Sequence, residues 1–173
     1  MTGTEQTDER AQRVAYNYGV RLLARREYSA RELRDKLVSS GKVPGGDAAQ
    51  AVLSALQEDG LQSDVRYTEA QLRALTSRGY GPRYILQRLQ QQGIDEAMID
   101  ACDGWHDTDW GALAVAAVER RYPERNADAR TWQRASRYLQ RRGFEAATAR
   151  RALGAMPSSY AVTDLGDDAA GEC

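Results

Sequence analysis

LLARREYSARELRDKLVSSG, residues 22–41, reads as a helix end, a tight turn and a second helix. Ser29 and Glu32 stand in the S-x-x-E relation of a capping box. The serine oxygen takes an orphan N–H of the first turn, and the glutamate reaches back to the serine N–H. Leu33 and Leu37 fall on one helix face, because i and i+4 side chains lie one above the other. Gly41 stands where a helix ends on a left-handed residue. Arg25, Arg26, Arg31, Arg34 and Lys36 are threaded through this apolar frame.

Working outward, the same design recurs. Residues 1–8 are expected to form a disordered, acidic N-terminus. From Glu9 to Arg26 the spacing predicts a helix with Ala11, Val14, Tyr18 and Leu22 as its apolar stripe. Asp47 is placed to cap a third helix carrying Val52, Leu53 and Leu56, and this first three-helix unit covers 9–60. A second unit, 64–103, opens on Asp64 as a cap, with Thr68, Leu72 and Leu75 below it. Its turn ends at Pro82, suited to a first helical position, and Gly93 leads to a short helix with Met98 and Ile99. The third unit, 109–154, has Asp109 and Asp128 as caps. Trp110, Leu113, Ala114, Ala117 and Val118 line its first helix, Gly143 closes the second, and Phe144–Leu153 is the last. Residues 155–173 are expected to be an acidic, disordered tail. No stretch alternates apolar and polar long enough to nominate a strand.

Counting back from Gly41, Gly93 and Gly143 tests the repetition. Four residues back stand Leu37, Leu89 and Leu139; eight back stand Leu33, Ile85 and Ala135. Thirteen back the register is lost, at Tyr28, Tyr80 and Arg130. A period near 50 residues points to an array of small helical units, against three unrelated helical hairpins. The expected fold class is therefore all-α, with three tandem three-helix repeats and about nine helices.

The net charge of −1 conceals a segregation. All 24 Lys and Arg residues lie between Arg10 and Arg151, whereas seven of the 25 acids lie outside that span, so the middle is basic by six. Only Lys36 and Lys42 are lysines. Arginine's planar fork matches carboxylate and phosphate bidentately, so an acidic protein surface and a nucleic-acid backbone are both suitable partners. From Arg125 to Arg151, eight arginines face only Asp128 and Glu145. Arg130, Arg134, Arg137 and Arg141 recur at helical spacing and should form one stripe opposite Leu139. Weaker basic sets are Arg25, Arg26, Arg31, Arg34 and Lys36 in the first unit, and Arg83 and Arg88 in the second. The tyrosines that punctuate the units are read as core or hinge residues whose hydroxyls reach the rim.

Chemistry-bearing constellations are scarce. Cys102 and His106 supply one thiol and the only histidine, short of the three or four ligands a zinc site takes, so no metal or other cofactor is expected. The single histidine also argues against Ser-His-Asp and Cys-His catalysis. No Walker sequence occurs, and Gly79-Tyr80-Gly81 does not extend to GxGxxG. No catalytic residue is nominated, and the chain is not expected to be an enzyme. No apolar run approaches the roughly 20 residues of a membrane helix, and the polar start MTGTEQTDER is no secretory signal. A cytoplasmic protein is expected, with no membrane partner.

LLARREYSARELRDKLVSSG (22–41), Asp64-Val65-Arg66-Tyr67, Gly79 through Ile85, Gln92-Gly93-Ile94 and Tyr138-Leu139-Gln140-Arg141-Arg142-Gly143-Phe144 together resemble the RecX family, regulators of the RecA recombinase. They stand in family order and spacing over about residues 12–154. Arg88-Leu89 departs from the family's Glu-Leu, and Arg142–Leu153 is unusually rich in Ala and Arg. The resemblance implies an elongated, curved array of three-helix repeats that binds RecA and its filament on single-stranded DNA. It implies inhibition of strand exchange, ATP hydrolysis and repressor cleavage by occupancy of the filament groove or growing end. Direct contact with DNA is expected to be weak or indirect, and the chain to be a monomer. The arginines and lysine named above, together with Arg142, are the expected partner-binding residues. The alternative is a stand-alone, arginine-rich helical nucleic-acid-binding protein.

Overall fold

The computed structural model describes residues 2–123 and 128–155, with side chains from Glu9 onward, and within them the regular structure is ten α-helices. They are α1 (Thr2–Leu23), α2 (Ala30–Ser39), α3 (Gly46–Glu58), α4 (Asp64–Ser77), α5 (Pro82–Gln91), α6 (Glu96–Asp100), α7 (Asp103–Asp107), α8 (Trp110–Arg121), α9 (Ala129–Arg141) and α10 (Ala146–Gly154). The all-α expectation holds. The count exceeds about nine because the segment after Cys102, read as a connection, winds into the single turn of α7.

By packing, the chain divides into two compact units. One comprises Met1–Leu75 with Leu86–Thr108; the other comprises Thr76–Ile85 with the described residues from Asp109 onward. In the first unit α1, α2 and α3 pack on one another around Tyr28, Leu33, Leu37, Val52, Leu53 and Leu56. In the second, α8, α9 and α10 enclose Ala114, Ala117, Val118, Ala135, Leu139, Phe144 and Leu153. The register found by counting back from the glycines is a burial register. Leu37, Leu89 and Leu139 are all but fully buried, as are Leu33, Ile85 and Ala135, whereas Arg130 is exposed.

Several expectations about helix α1 are corrected. It starts at Thr2, not Glu9, because residues 2–8 contain no proline and only one glycine to stop a helix. It stops at Leu23, short of Arg26, where the Arg26 guanidinium turns to Glu32 and the Tyr28 ring. Its buried seam is Ala15 and Gly19, while Val14 is 45% exposed. A Cβ at Gly19 would stand 2.6 Å from Cδ1 of Leu56, so close approach of α3 selects the smallest residues over the most apolar ones.

The caps follow the sequence in part. Ser29 accepts the Glu32 N–H at 3.1 Å, but the Glu32 carboxylate turns to Arg26. Asp95, Asp109 and Asp128 cap α6, α8 and α9 through the N–H groups of Met98, Ala112 and Thr131. Asp47 lies inside the first turn of α3, whose cap is Gly45 without a side-chain bond. Asp64 also sits inside its helix, and Ser63 Oγ accepts the Arg66 N–H in its place. The Asp64 carboxylate instead accepts the Ala30 N–H at 2.7 Å, an orphan donor in the first turn of α2. Gln62, 3% exposed, completes this buried network. It donates to the Tyr28 carbonyl and Asp64, and accepts from Gln57.

Two helix ends are built alike. At Gly93 and Gly143, φ is +83° and +84°, and the next N–H returns to the carbonyl of Leu89 or Leu139. This is the six-to-one bond of a Schellman end, which favours an apolar residue after the glycine. Ile94 and Phe144 occupy that place, each 2% exposed.

The expected tail from residue 155 lies, beyond Ala155, outside the described residues, as does Glu124 of the turn before α9. No described helix is long and apolar enough to cross a membrane.

Candidate macromolecular interface

The basic residues nominated from sequence separate into those engaged by their own fold and those left on its surface. Arg26 belongs to the first group. It bonds Glu32 at 2.6 and 3.1 Å and the Glu27 carbonyl at 3.0 Å, and its guanidinium lies 3.7 Å above the Tyr28 ring centre. The bond to Glu32 raises its already high pKa, so this cation is neutralised where it stands. The Lys36 ammonium lies 5.8 Å from the centre of the same ring. Tyr67, buried beside them, has its phenol pKa pushed up by burial first and by Glu32 next, against the opposing charges of Arg26 and Arg88.

Arg142 is likewise engaged. Its Nη1 donates to the Arg78 carbonyl at 2.7 Å, and its guanidinium lies 4.4 Å from the Tyr80 ring and 5.1 Å from the Tyr138 ring. Tyr80 stacks on Tyr84 at 4.1 Å, and Tyr138 meets Tyr122 edge-on at 6.0 Å. A cation thus joins two aromatic pairs in the second unit. Beside it, Gly81 and Arg83 donate their N–H groups to the carbonyls of Arg142 and Gly143. The tyrosine spacing in the sequence hinted at hinge residues; the stacking partners are brought together only by folding.

Arg83 stands 3.7 Å from Glu145 with both side chains well exposed, a loose pair of little energetic consequence. Arg25, Arg31, Arg34 and Arg88 are exposed and make no ion pair with a described acid. The stem of Arg31 packs against Gly93, where a Cβ would meet it at 3.2 Å. Arg31 and Arg34 also line an open groove of about 410 Å³ between α2 and α3, with Gln50 and Gln57 opposite.

The α9 stripe forms as its spacing requires. Arg130, Arg134, Arg137 and Arg141 are exposed, while Thr131, Ala135 and Leu139 are buried on the other side. Helix α9 contains no acid. Arg134 bonds the Thr131 hydroxyl at 3.0 Å, and none of the four makes an ion pair with a described acid. The carboxylate that caps this helix is Asp128. Its pKa is held below 3.8 by hydrogen bonds from the Thr131 hydroxyl and N–H, and then by the charges of Arg134 and Arg130. Four guanidiniums on one side of a helix, none in an ion pair with a described acid, can hold a row of phosphates or carboxylates.

Cys102 and His106 do not converge on a ligand. Cys102 is buried at the start of α7. His106 is 63% exposed, and its Nε2 lies 2.9 Å from the Asp100 carbonyl and 3.1 Å from its carboxylate. Among the described residues no three His, Cys, Asp or Glu side chains cluster as a metal site would need.

Three family models match the chain in order: the first three-helix domain of RecX at residues 15–54, the second at 63–102 and the third at 107–153. Regulatory protein RecX of Halorhodospira halophila is 42% identical over 137 residues, covering 79% of this chain and 84% of the relative. Regulatory protein RecX of Acidithiobacillus ferrooxidans is 42% identical over 150 residues, covering 86% and 93%. A crystal structure of RecX from Lactobacillus salivarius superposes with a TM-score of 0.68 at 20% identity, over 84% of this chain and 96% of that one. That last similarity is one of fold.

Proposed function

The chain belongs to the RecX family of regulatory proteins, and from that premise we propose that it restrains the RecA recombinase by binding its filament on single-stranded DNA. It does so by occupancy. Lodged in the filament groove or at the growing end, it suppresses strand exchange, ATP hydrolysis and repressor cleavage without making or breaking a bond. The cytoplasm, where such a filament forms, is its place of action. The observation that carries this reading is the match of all three family domains, in order, between residues 15 and 153.

The distribution of charge supports it. The α9 stripe offers guanidiniums without internal carboxylates, and the exposed Arg25, Arg31, Arg34 and Arg88 offer a second set in the first unit. Several weak contacts on one chain add through effective concentration, which suits a partner that repeats along a filament.

The deciding assay is RecA-dependent ATP hydrolysis on single-stranded DNA with this protein added. Inhibition together with co-sedimentation on the filament is expected at micromolar protein. Unchanged hydrolysis and no filament binding would sink the proposal. The acid-free face of α9 keeps a second reading in view, a helical protein that binds nucleic acid alone. That reading requires tight DNA binding without RecA, weakening steeply with salt as counterions are released.

A further inference from the structure

We infer that the acidic segment 156–173 docks on the arginine face of α9 and competes there with a polyanionic partner; the competition, though not the docking, rests on the function proposed above. The charges are complementary and one-sided. Beyond Arg151 the sequence holds Asp164, Asp167, Asp168 and Glu172 and no basic residue. The α9 face holds Arg130, Arg134, Arg137 and Arg141 and no acid. Each set lacks a counter-charge within its own segment.

Reach permits the contact. Helix α10 ends at Gly154 and packs on α9, so the segment begins beside the helix it would cover. At about 3.3–3.6 Å per residue, the nine residues from Ala155 to Asp164 span up to roughly 30 Å. Passing around a helix about 10–12 Å in diameter takes less than 20 Å. The stripe from Arg130 to Arg141 is about 16 Å long at 1.5 Å per residue, and the acids from Asp164 to Glu172 can extend along it.

Tethering makes the contact dependent on charge and easily displaced. Exposed carboxylate–guanidinium pairs are individually weak, but the tether holds them at an effective concentration of order millimolar. A denser polyanion would displace them, so the segment sets a threshold for binding instead of abolishing it.

The test uses the full chain and a full-length variant with the segment neutralised: Asp164→Asn, Asp167→Asn, Asp168→Asn and Glu172→Gln. Modification of each arginine by phenylglyoxal is followed by mass spectrometry, with exposed Arg25 and Arg34 as internal references. Arg130, Arg134, Arg137 and Arg141 should react several-fold more slowly in the unmodified chain than in the variant at low salt. The difference should vanish near 1 M salt, where the Debye length is about 3 Å. Equal rates at low salt would overturn the docking. A second reading uses a fluorescent oligothymidylate, which the variant should bind about tenfold more tightly at low salt. Protection of the arginines with unchanged affinity would overturn the competition. If neither protein binds DNA or filament, the functional proposal falls, while the arginine rates alone still decide the docking.

Discussion

At Gly143 the backbone needs two things at once. Its φ of +84° is a region that L side chains rarely adopt, and a Cβ there would stand 2.3 Å from the amide nitrogen of Tyr84. Gly41 has the first requirement, at φ +65°, without the second, since its Cβ direction is open. Gly41→Ala should therefore cost about 1 kcal/mol, the left-handed penalty alone. Gly143→Ala should cost on the order of 3 kcal/mol or more, because Tyr84 or the helix end must also move. Chemical denaturation of the two variants measures the difference, and equal losses would contradict the close contact. Asp128 makes a second residue-level prediction. Its folded pKa lies below the ordinary value of 3.8, so its stabilisation is fully present above the unfolded pKa and is lost as pH falls through the folded one. The melting temperature of the native protein should drop more below about pH 4 than that of Asp128→Asn, which keeps the cap but cannot titrate. Parallel acid profiles would remove the role assigned to this carboxylate. Both residues were legible in advance as helix punctuation. Contact with Tyr84, and the help of Thr131 and Arg134, were not, because each depends on rotamers and neighbours that a spacing rule does not contain.

At the scale of elements, the apolar period located most helices to within a few residues, and the counting rule found their buried positions. Leu37 and Leu139 are each fully buried in the core of their own unit. Replacing either by Ala should cost about 2–5 kcal/mol, with cooperative loss of ellipticity on heating as the readout. A cost below about 1 kcal/mol would mean that the site collapses around the gap. Where the reading failed, a neighbour outside the local sequence had decided. Val14 is the more apolar candidate for the seam of α1, yet Ala15 and Gly19 occupy it, and Leu56 presses close on Gly19. Asp64 has the residue type and position of a cap for its own helix, yet it serves the first turn of α2. In both cases the local pattern was compatible with two answers, and packing of a distant segment selected one.

For the whole molecule, the question is which charges remain available after folding. Twelve basic side chains in three sets look alike as letters, but Arg26 and Arg142 are held by carboxylates, carbonyls and rings of their own units whereas the α9 stripe is not. Reversing Arg134, Arg137 and Arg141 to Glu should leave helix content intact, since all three are exposed. It should raise the concentration needed for half-inhibition of RecA-dependent ATP hydrolysis by about tenfold or more. An unchanged inhibition curve would move the interface to the first unit. The family, the helical class, the repeat and the burial register were all determined by the amino-acid sequence, because each is a matter of period and of residue type at a helix end. Tertiary structure alone decided the seam of α1, the destination of the Asp64 and Glu32 carboxylates, and which arginines are engaged. Those outcomes depend on distances between segments far apart in the chain, and only a packed core sets such distances.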